Sequence, residues 1–486
     1  MDDLFAQIAS LPPKKRELLL RELQKKKAGR DKLAASTPQS AGGEQVRHYP
    51  ASFSQQWFLF LYEMSEGGFL YNMPYSTRLK GNVGVGALKQ SVDEIVRRHE
   101  GLRTTFPIVD GKRVQVIAPS LDLGWTVHDL RGLPESEREA AARRLATEEA
   151  RRPFDMDKGP LIRAGLLRLA DDEYVLLLTI HHSNSDGWSM GVFIRELTAL
   201  YEAFCAGLPS PLPRLAMQYK DFALWQRRWM QGEVLEKHLS YWKRQLDGAP
   251  ASLNLPFDRP RPAVRTFQGA SQSLVLSKEL TEELKGLSVR ENASLFMTLL
   301  AAFDTLLYQY TNQEDLVVLT HVAGRNRPEL EGLIGYFINN LVMRSDLSGE
   351  PTFRELLGRV RRVAIEAYEY QDLPVIKLID ALEPDLSLSL KSQVMFLLQN
   401  IPKKTFKFPD MALGSLNVKK GTVNRDLVFI MSESKDGLSG IMSYSVDLFD
   451  ASTIQQMLQS FSTLLYGIVA APDKRISDFT TRTVLT

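Results

Sequence analysis

Two adjacent histidines, His181 and His182, stand out in the stretch VLLLTIHHSNSDGWSMGVFIRELTALYEAF, from Val175 to Phe204. An unperturbed imidazole titrates near pH ~6.5, so at neutral pH much of it is uncharged and able to accept a proton. Asp186 and Gly187 follow within one turn. The candidate catalytic group is therefore His182 with His181, Asp186 and Gly187 around it. Asp186 can orient an imidazole as a carboxylate supports a base, or it can belong to an ion pair. Gly187 permits close backbone approach or a positive φ, and its amide could face a reacting carbonyl.

These residues need elements to hold them. Val175 to Ile180 is apolar apart from Thr179, as expected of a strand buried on both faces. Ser183 to Gly187 has turn chemistry. Ile194, Leu197, Tyr201 and Phe204 then recur at helical spacing. The histidines thus sit where a rigid strand gives way to a loop, a frequent place for functional side chains. Neighbours on a strand point to opposite faces, so one imidazole can face a cavity while the other packs inward. That geometry argues against both binding one metal.

The chain has 486 residues, with 60 Lys and Arg against 58 Asp and Glu, for a formal charge of +2. Such a balance argues against a nucleic-acid binder recruited by bulk charge. At 44% hydrophobic and 24% charged residues, the composition is that of a soluble globular protein. Cys205 is the single cysteine and fits a reducing compartment. The opening MDDLFAQIAS lacks the cationic start and apolar core of a signal peptide. No stretch reads as a membrane span, and a cytoplasmic monomer is expected.

Residues 12 to 27 read as a lysine-rich helix and 28 to 44 as a linker, so the globular part starts near Gln45. Residues 1 to 45 form either a docking element or a helix packed on the body. Helical and strand patterns then alternate, with a helix at Val85 to His99 and strands at Arg113 to Ile117 and Tyr174 to Ile180. The Pro/Arg-rich stretch Asn254 to Arg265 reads as a surface connection. A strand at Ser271 to Leu276, helices at Glu279 to Glu291 and Ser294 to Tyr310, and a strand at Asp315 to Leu319 make a second run. The fold class is mixed α/β, with lobes near 46–225 and 226–470 and a connector at 471–486.

HHSNSDGWS (His181 to Ser189) resembles the HHxxxDG signature of the condensation domains of non-ribosomal peptide synthetases. Six further motifs match in the family's order: SFSQQ (Ser52 to Gln56), RRHEGLRTTF (Arg97 to Phe106), YKDFALWQ (Tyr219 to Gln226), IGYFINNLVMR (Ile334 to Arg344), YQDLP (Tyr370 to Pro374) and QVMFLLQN (Gln393 to Asn400). The resemblance implies two lobes, each similar to chloramphenicol acetyltransferase, arranged as a V-shaped pseudo-dimer around a central tunnel. It implies amide formation between a donor acyl or peptidyl thioester and the amine of an acceptor aminoacyl thioester. Both substrates hang on the 4'-phosphopantetheine of carrier proteins, with no intrinsic cofactor, metal or nucleotide. Donor and acceptor peptidyl carrier proteins, an adenylation domain C-terminal to the chain and upstream synthase docking through residues 1–30 are the partners implied. His182 becomes the catalytic histidine, as a base or as a positioning and charge-stabilising group. Asp186 becomes the ion-pair partner of Arg103, with Trp188 shaping or supporting the site. Asn339 is placed near the active site, and YNMP (Tyr71 to Pro74) resembles the subgroup taking unepimerized, L-type donors.

The chain also departs from the family pattern. Trp57-Phe58 stand where Arg-Leu is usual, Ser183-Asn184 replace an apolar pair, Tyr370 replaces a histidine, and Leu319-Thr320-His321 replace Gly-Thr-Pro. The segment from Asp385 to Phe396 lacks the usual arginine-asparagine pattern. Ser183, Asn184, Ser185, Asn339, His321 and Tyr370 are accordingly candidates for the tunnel lining. Polar residues and an extra imidazole near a thioester suit a second activity, dehydration of a seryl or threonyl residue. A catalytically silent scaffold that recruits other proteins is the third reading. Neither a carrier attachment site nor an adenylation-type phosphate loop is visible, so the chain is not expected to load its own substrates.

Overall fold

The computed structural model describes residues 48–479, apart from 65–67, 251, 383–392, 400–410, 417 and 419. The expected helix at 12–27 and linker at 28–44 lie outside the described residues, as do 480–486 and most of the segment leading into Gln393.

The strand Glu173–His181 is the inner strand of a five-stranded sheet. Asn72–Gly81 and Ile162–Ala170 flank it antiparallel, and Thr126–Asp129 and Met411–Ser415 form the edges. Its alternation divides the apolar run between two cores. Leu176, Leu178 and Ile180 pack with Leu88, Val92 and Phe193 of the helices Val85–Arg98 and Gly187–Cys205. Val175 and Leu177 meet Ala141, Ala142 and Ala146 of the helix Glu135–Arg151, whose small side chains let it lie close to the sheet. Burial on both faces is why the segment reads as a continuous hydrophobic run.

The second lobe has a six-stranded sheet in the order Asn339–Asp346, Asp315–Val322, Val394–Gln399, Leu427–Ser434, Gly437–Ser445 and Gly269–Val275. Phe303 on the helix Leu295–Thr311 packs with Phe396, Phe429 and Phe461 beneath it. The parallel neighbours Asp315–Val322 and Val394–Gln399 pair at Leu319 with Met395. His321 lies beyond that pairing, on the strand that continues antiparallel to Asn339–Asp346.

Met411–Ser415 belongs to the second half of the sequence, yet it pairs with Thr77–Gly81 in the first lobe's sheet. The helix Phe53–Met64, in turn, packs against the helix Val375–Ala381 of the second lobe. Each lobe thus contributes an element to its neighbour.

Candidate active site

The strand ends at His181, a single 3-10 turn covers His182–Asn184, and the helix Gly187–Cys205 follows. Asp186 caps that helix, with Oδ1 accepting from Ser189 N at 2.7 Å, which satisfies one of the donors a helix start leaves free. The two histidines part company here. His181 is fully buried, edge-on to Tyr62, Phe154 and Phe58. Ser183 N donates to its Nδ1 at 3.3 Å. Burial above all, with the charges of His182, Lys420 and Arg163, pushes His181 down to about 3, so it stays neutral.

His182 is only half-buried and forms a cluster of three rings with Phe58 and Tyr336, at 5.4 and 5.3 Å. Its Nδ1 is 2.8 Å from the Ser185 carbonyl oxygen. A carbonyl only accepts, so Nδ1 carries the hydrogen and Nε2 keeps the lone pair. Desolvation lowers the His182 pKa, and the Lys420 cation works in the same direction, while the Ser185 carbonyl and Asp186 oppose them. The result is a neutral imidazole with its tautomer set by the loop's own backbone.

Asp186 does not touch that imidazole. Besides Ser189 N, its carboxylate accepts from Phe337 N at 3.0 Å and Arg325 Nη2 at 3.3 Å. Arg325 and Asp186 are both about 1% exposed at the side chain. The guanidinium also donates to Ser189 Oγ at 2.7 Å and to the carbonyls of Leu330 and Leu333, and it lies 4.0 Å over the Phe337 ring. Ser189 Oγ in turn donates to Gly335 O and accepts from Gly335 N. The histidine loop of one lobe is thereby fastened to residues 325–337 leading into the other lobe's strand.

The condensation-domain family model matches residues 45–483. The chain belongs to the condensation-domain family. It is 49% identical over 434 residues to one of the proteins that make up the linear gramicidin synthase of Brevibacillus parabrevis, an alignment covering 88% of this chain and 8% of that protein. The chain therefore spans less than a tenth of that relative's length. The X-domain from teicoplanin biosynthesis shares the fold with a TM-score of 0.81 and 28% identity, covering 92% of this chain and 99% of that one. The first condensation domain of the calcium-dependent antibiotic synthetase superposes with a TM-score of 0.73 at 18% identity, over 90% and 100% of the two chains. Membership carries with it the two acetyltransferase-like lobes and an acyltransferase-type activity.

The expected ion pair between Asp186 and Arg103 is replaced in this condensation domain by the pair with Arg325. Arg103 instead donates to the carbonyls of Val96, Arg97 and Ala118. Those first two belong to the last turn of the helix Val85–Arg98, where free carbonyls and the helix dipole both favour a cation. Gly187 needs no left-handed backbone, since it opens the helix. Trp188 donates its indole N–H to Glu331 O at 3.0 Å and packs beside Arg325.

Ser183, Asn184 and Ser185 do not line an open tunnel; each is at most 1% exposed. The 3-10 turn curls them inward, where Gln55 Nε2 donates to Ser183 O and Asn184 Nδ2 to Thr104 O. Tyr370 is stacked 4.2 Å from Tyr241, with its carbonyl accepting from Trp242 Nε1. Asn339 ties the carbonyls of Gln371 and Leu373 to the start of its strand. His321 feels the charges of Arg425 and His182. Burial leads these effects in pushing His321 down to about 3.

Three contributors were not among the expected site residues, although Tyr336 lies inside the Ile334 to Arg344 motif. Tyr336 flanks His182 and Phe58, and its hydroxyl is raised well above the usual phenol by burial. Lys420, arriving from the second half of the sequence, donates to Leu70 O and Asn72 O, and burial brings it down to about 8. Arg425 is lowered to about 10, again chiefly by burial, and remains a cation at neutral pH. Among the described residues no group of three or more His, Cys, Asp or Glu is arranged to hold a metal, and no helix is long and apolar enough to cross a membrane.

Proposed function

We propose that this domain joins a carrier-borne acyl or peptidyl thioester, with an L-type donor residue, to the amine of a carrier-borne aminoacyl thioester. The observation that supports it most directly is the Nδ1–H to Ser185 carbonyl bond, which leaves the His182 Nε2 lone pair for the substrate amine. The amine nitrogen attacks the thioester carbonyl carbon, the C–N bond forms and the C–S bond breaks. The proton lost by nitrogen passes to Nε2 and leaves with the departing thiolate. An α-amine has a pKa of about 7.7 to 8.0, so orienting it is as useful as full proton transfer. Lys420, whose charge acts on His182, and Arg425, whose charge acts on His321, are the cations available to a developing oxyanion. Donor and acceptor carrier proteins and a neighbouring adenylation domain are the partners of this reading, with residues 1–30 as an upstream docking element.

The test is mass spectrometry of the acceptor carrier after incubation with both loaded carriers. A gained acyl group supports the reading, and His182→Ala should abolish it with an unchanged melting temperature. Full product from that variant would refute the assignment. The charge of His182 acting on His321 favours a second reading, in which a β-hydroxy residue loses water after the amide forms. The His182 imidazole then takes the α-proton at Nε2 and returns that same proton to the departing hydroxide, which leaves as water. A product lighter by one water would support it, and an intact amide alone would count against it.

A further inference from the structure

Residues 335–337 lead into the strand Asn339–Asp346 without helix or strand of their own, yet four of their backbone groups have side-chain partners. Gly335 N donates to Ser189 Oγ at 3.1 Å, and Gly335 O accepts from the same hydroxyl at 2.9 Å. Phe337 N donates to Asp186 Oδ2 at 3.0 Å, and the Tyr336 carbonyl accepts from the Tyr219 hydroxyl. The peptide planes on both sides of the Tyr336 Cα are therefore held, one at Gly335 O and the other at Tyr336 O and Phe337 N. A peptide unit is planar, so fixing both planes fixes φ and ψ at Tyr336, and with them the direction of its Cα–Cβ bond. That bond delivers the ring edge-on to His182, with centroids 5.3 Å apart and planes at 86°, and 4.9 Å from Phe58.

Tyr219 is well placed to hold a carbonyl. It is 2% exposed, its ring packs with Phe222 and Phe337, and a side chain at Gly335 would run into it. A carbonyl has no hydrogen to give, so Tyr219 donates to Tyr336 O, and Ser52 Oγ donates to the Tyr219 oxygen at 2.8 Å. Ser52 Oγ also accepts from Gln55 N at the start of the helix Phe53–Met64, which carries Phe58. One hydrogen-bonded chain thus joins the helix bearing Phe58 to the backbone of Tyr336, and these two rings are the ones beside His182. The imidazole needs them. Its Nδ1–H bond to Ser185 O sets the tautomer but leaves the ring free to swing about that bond. Contact with Phe58 and Tyr336 restrains the swing, and so the direction of the Nε2 lone pair.

We infer that Tyr336 is a positioning residue for the reaction at His182, its ring aiming Nε2, and that the Tyr219 hydroxyl holds that ring in place through the Tyr336 carbonyl. This role rests on the condensation reading for the identity of the reaction. The contact to the imidazole is made by the ring, so phenylalanine can stand in for Tyr336 and leucine cannot.

Three variants of the full chain separate positioning from packing: Tyr336→Leu, Tyr336→Phe and Tyr219→Phe. Amide formation between loaded carriers gives kcat and KM for the acceptor carrier. The ring resonances of ¹³C,¹⁵N-labelled histidines are followed in parallel, with His182 assigned by His182→Ala. Tyr336→Leu should lose at least about tenfold in kcat with KM within about twofold of the parent, since misplacing a reacting group by about 1 Å costs up to about a hundredfold. Tyr336→Phe, which restores the ring, should recover at least about half of the parent kcat. Tyr219→Phe keeps every ring and should still lose at least about threefold in kcat and move the His182 Cδ2–H or Cε1–H signal, because the neighbouring ring shifts. Packing alone would lower the melting temperatures and leave kcat and the His182 signals unchanged. That result, or an equal loss in Tyr336→Phe and Tyr336→Leu, would overturn the positioning role. If Tyr336→Leu does not fold, Tyr219→Phe decides by the same two readouts. A parent chain that forms no amide, with the His182 signals moved in Tyr219→Phe, would fault the condensation reading and uphold the positioning of His182.

Discussion

Replacing Arg325 by methionine isolates the strongest link between the histidine loop and the opposite lobe. The substitution keeps an unbranched apolar stem and removes the charge. It leaves Asp186 about 1% exposed with the amides of Ser189 and Phe337 to serve it, and it removes the guanidinium from the Leu333 carbonyl. Removing one partner of a buried pair costs roughly 3 to 5 kcal/mol. For a cooperative unit of about 150 to 250 residues this lowers the melting temperature by roughly 6 to 20 °C. Asp186→Asn/Arg325→Met strands no charge, so its loss should fall short of the summed single losses by about 1 kcal/mol or more. Arg103→Met should show no coupling to Asp186→Asn, because Arg103 serves carbonyls elsewhere. Guanidinium and thermal melts of the three single variants and the two doubles measure all of this. Singles that add in the double, or an Arg325→Met protein melting within about 1 °C of the parent, would refute the reasoning.

Lys420→Met removes a cation that helps keep His182 neutral, so the acid limb of the condensation rate should move to higher pH; an unmoved limb would disconnect Lys420 from the site. Asp304 is fully buried in the second lobe, where among the described residues Ser345 Oγ alone donates to it, and burial raises its carboxyl from 3.8 to about 7. The folded state then binds more protons than the unfolded one across that window, so stability is lost as pH rises from about 4 to 7, by up to roughly 4 kcal/mol. Asp304→Asn should flatten this part of the melting profile and melt above the parent at pH 8, and a parallel profile would reject the assignment. A Cβ at Gly335 would lie 2.0 Å from the Tyr219 ring, so Gly335→Ala should lower the melting temperature by several degrees, with Tyr219→Leu recovering part of it; a neutral Gly335→Ala would show that the interlobe packing is looser than drawn.

What the sequence made legible was local. The apolar run from Val175, the turn after the histidines and the helix from Gly187 follow from periodicity and turn chemistry, and the structure places them within a residue or two of the expectation. The partner of Asp186 was not legible, since Arg325 is 139 residues away and lies in a loop with no periodic pattern. Ser183, Asn184 and Ser185 were legible as a turn, but which way a turn faces depends on what it packs against. The stacking of Tyr370 on Tyr241 was not legible, because a motif position says nothing of the ring beside it.

Met411–Ser415 completes the first lobe's sheet from the far half of the sequence, and Gly414 there sits 3.4 Å, as measured from an added Cβ, from the Arg78 stem beneath it. Chimaeras cut between the lobes near residue 226 would inherit this strand from the wrong parent. A graft that exchanges the first lobe should carry residues 411–416 along with it, and matching Gly414 to Arg78 is the rule by which compatible parents can be chosen.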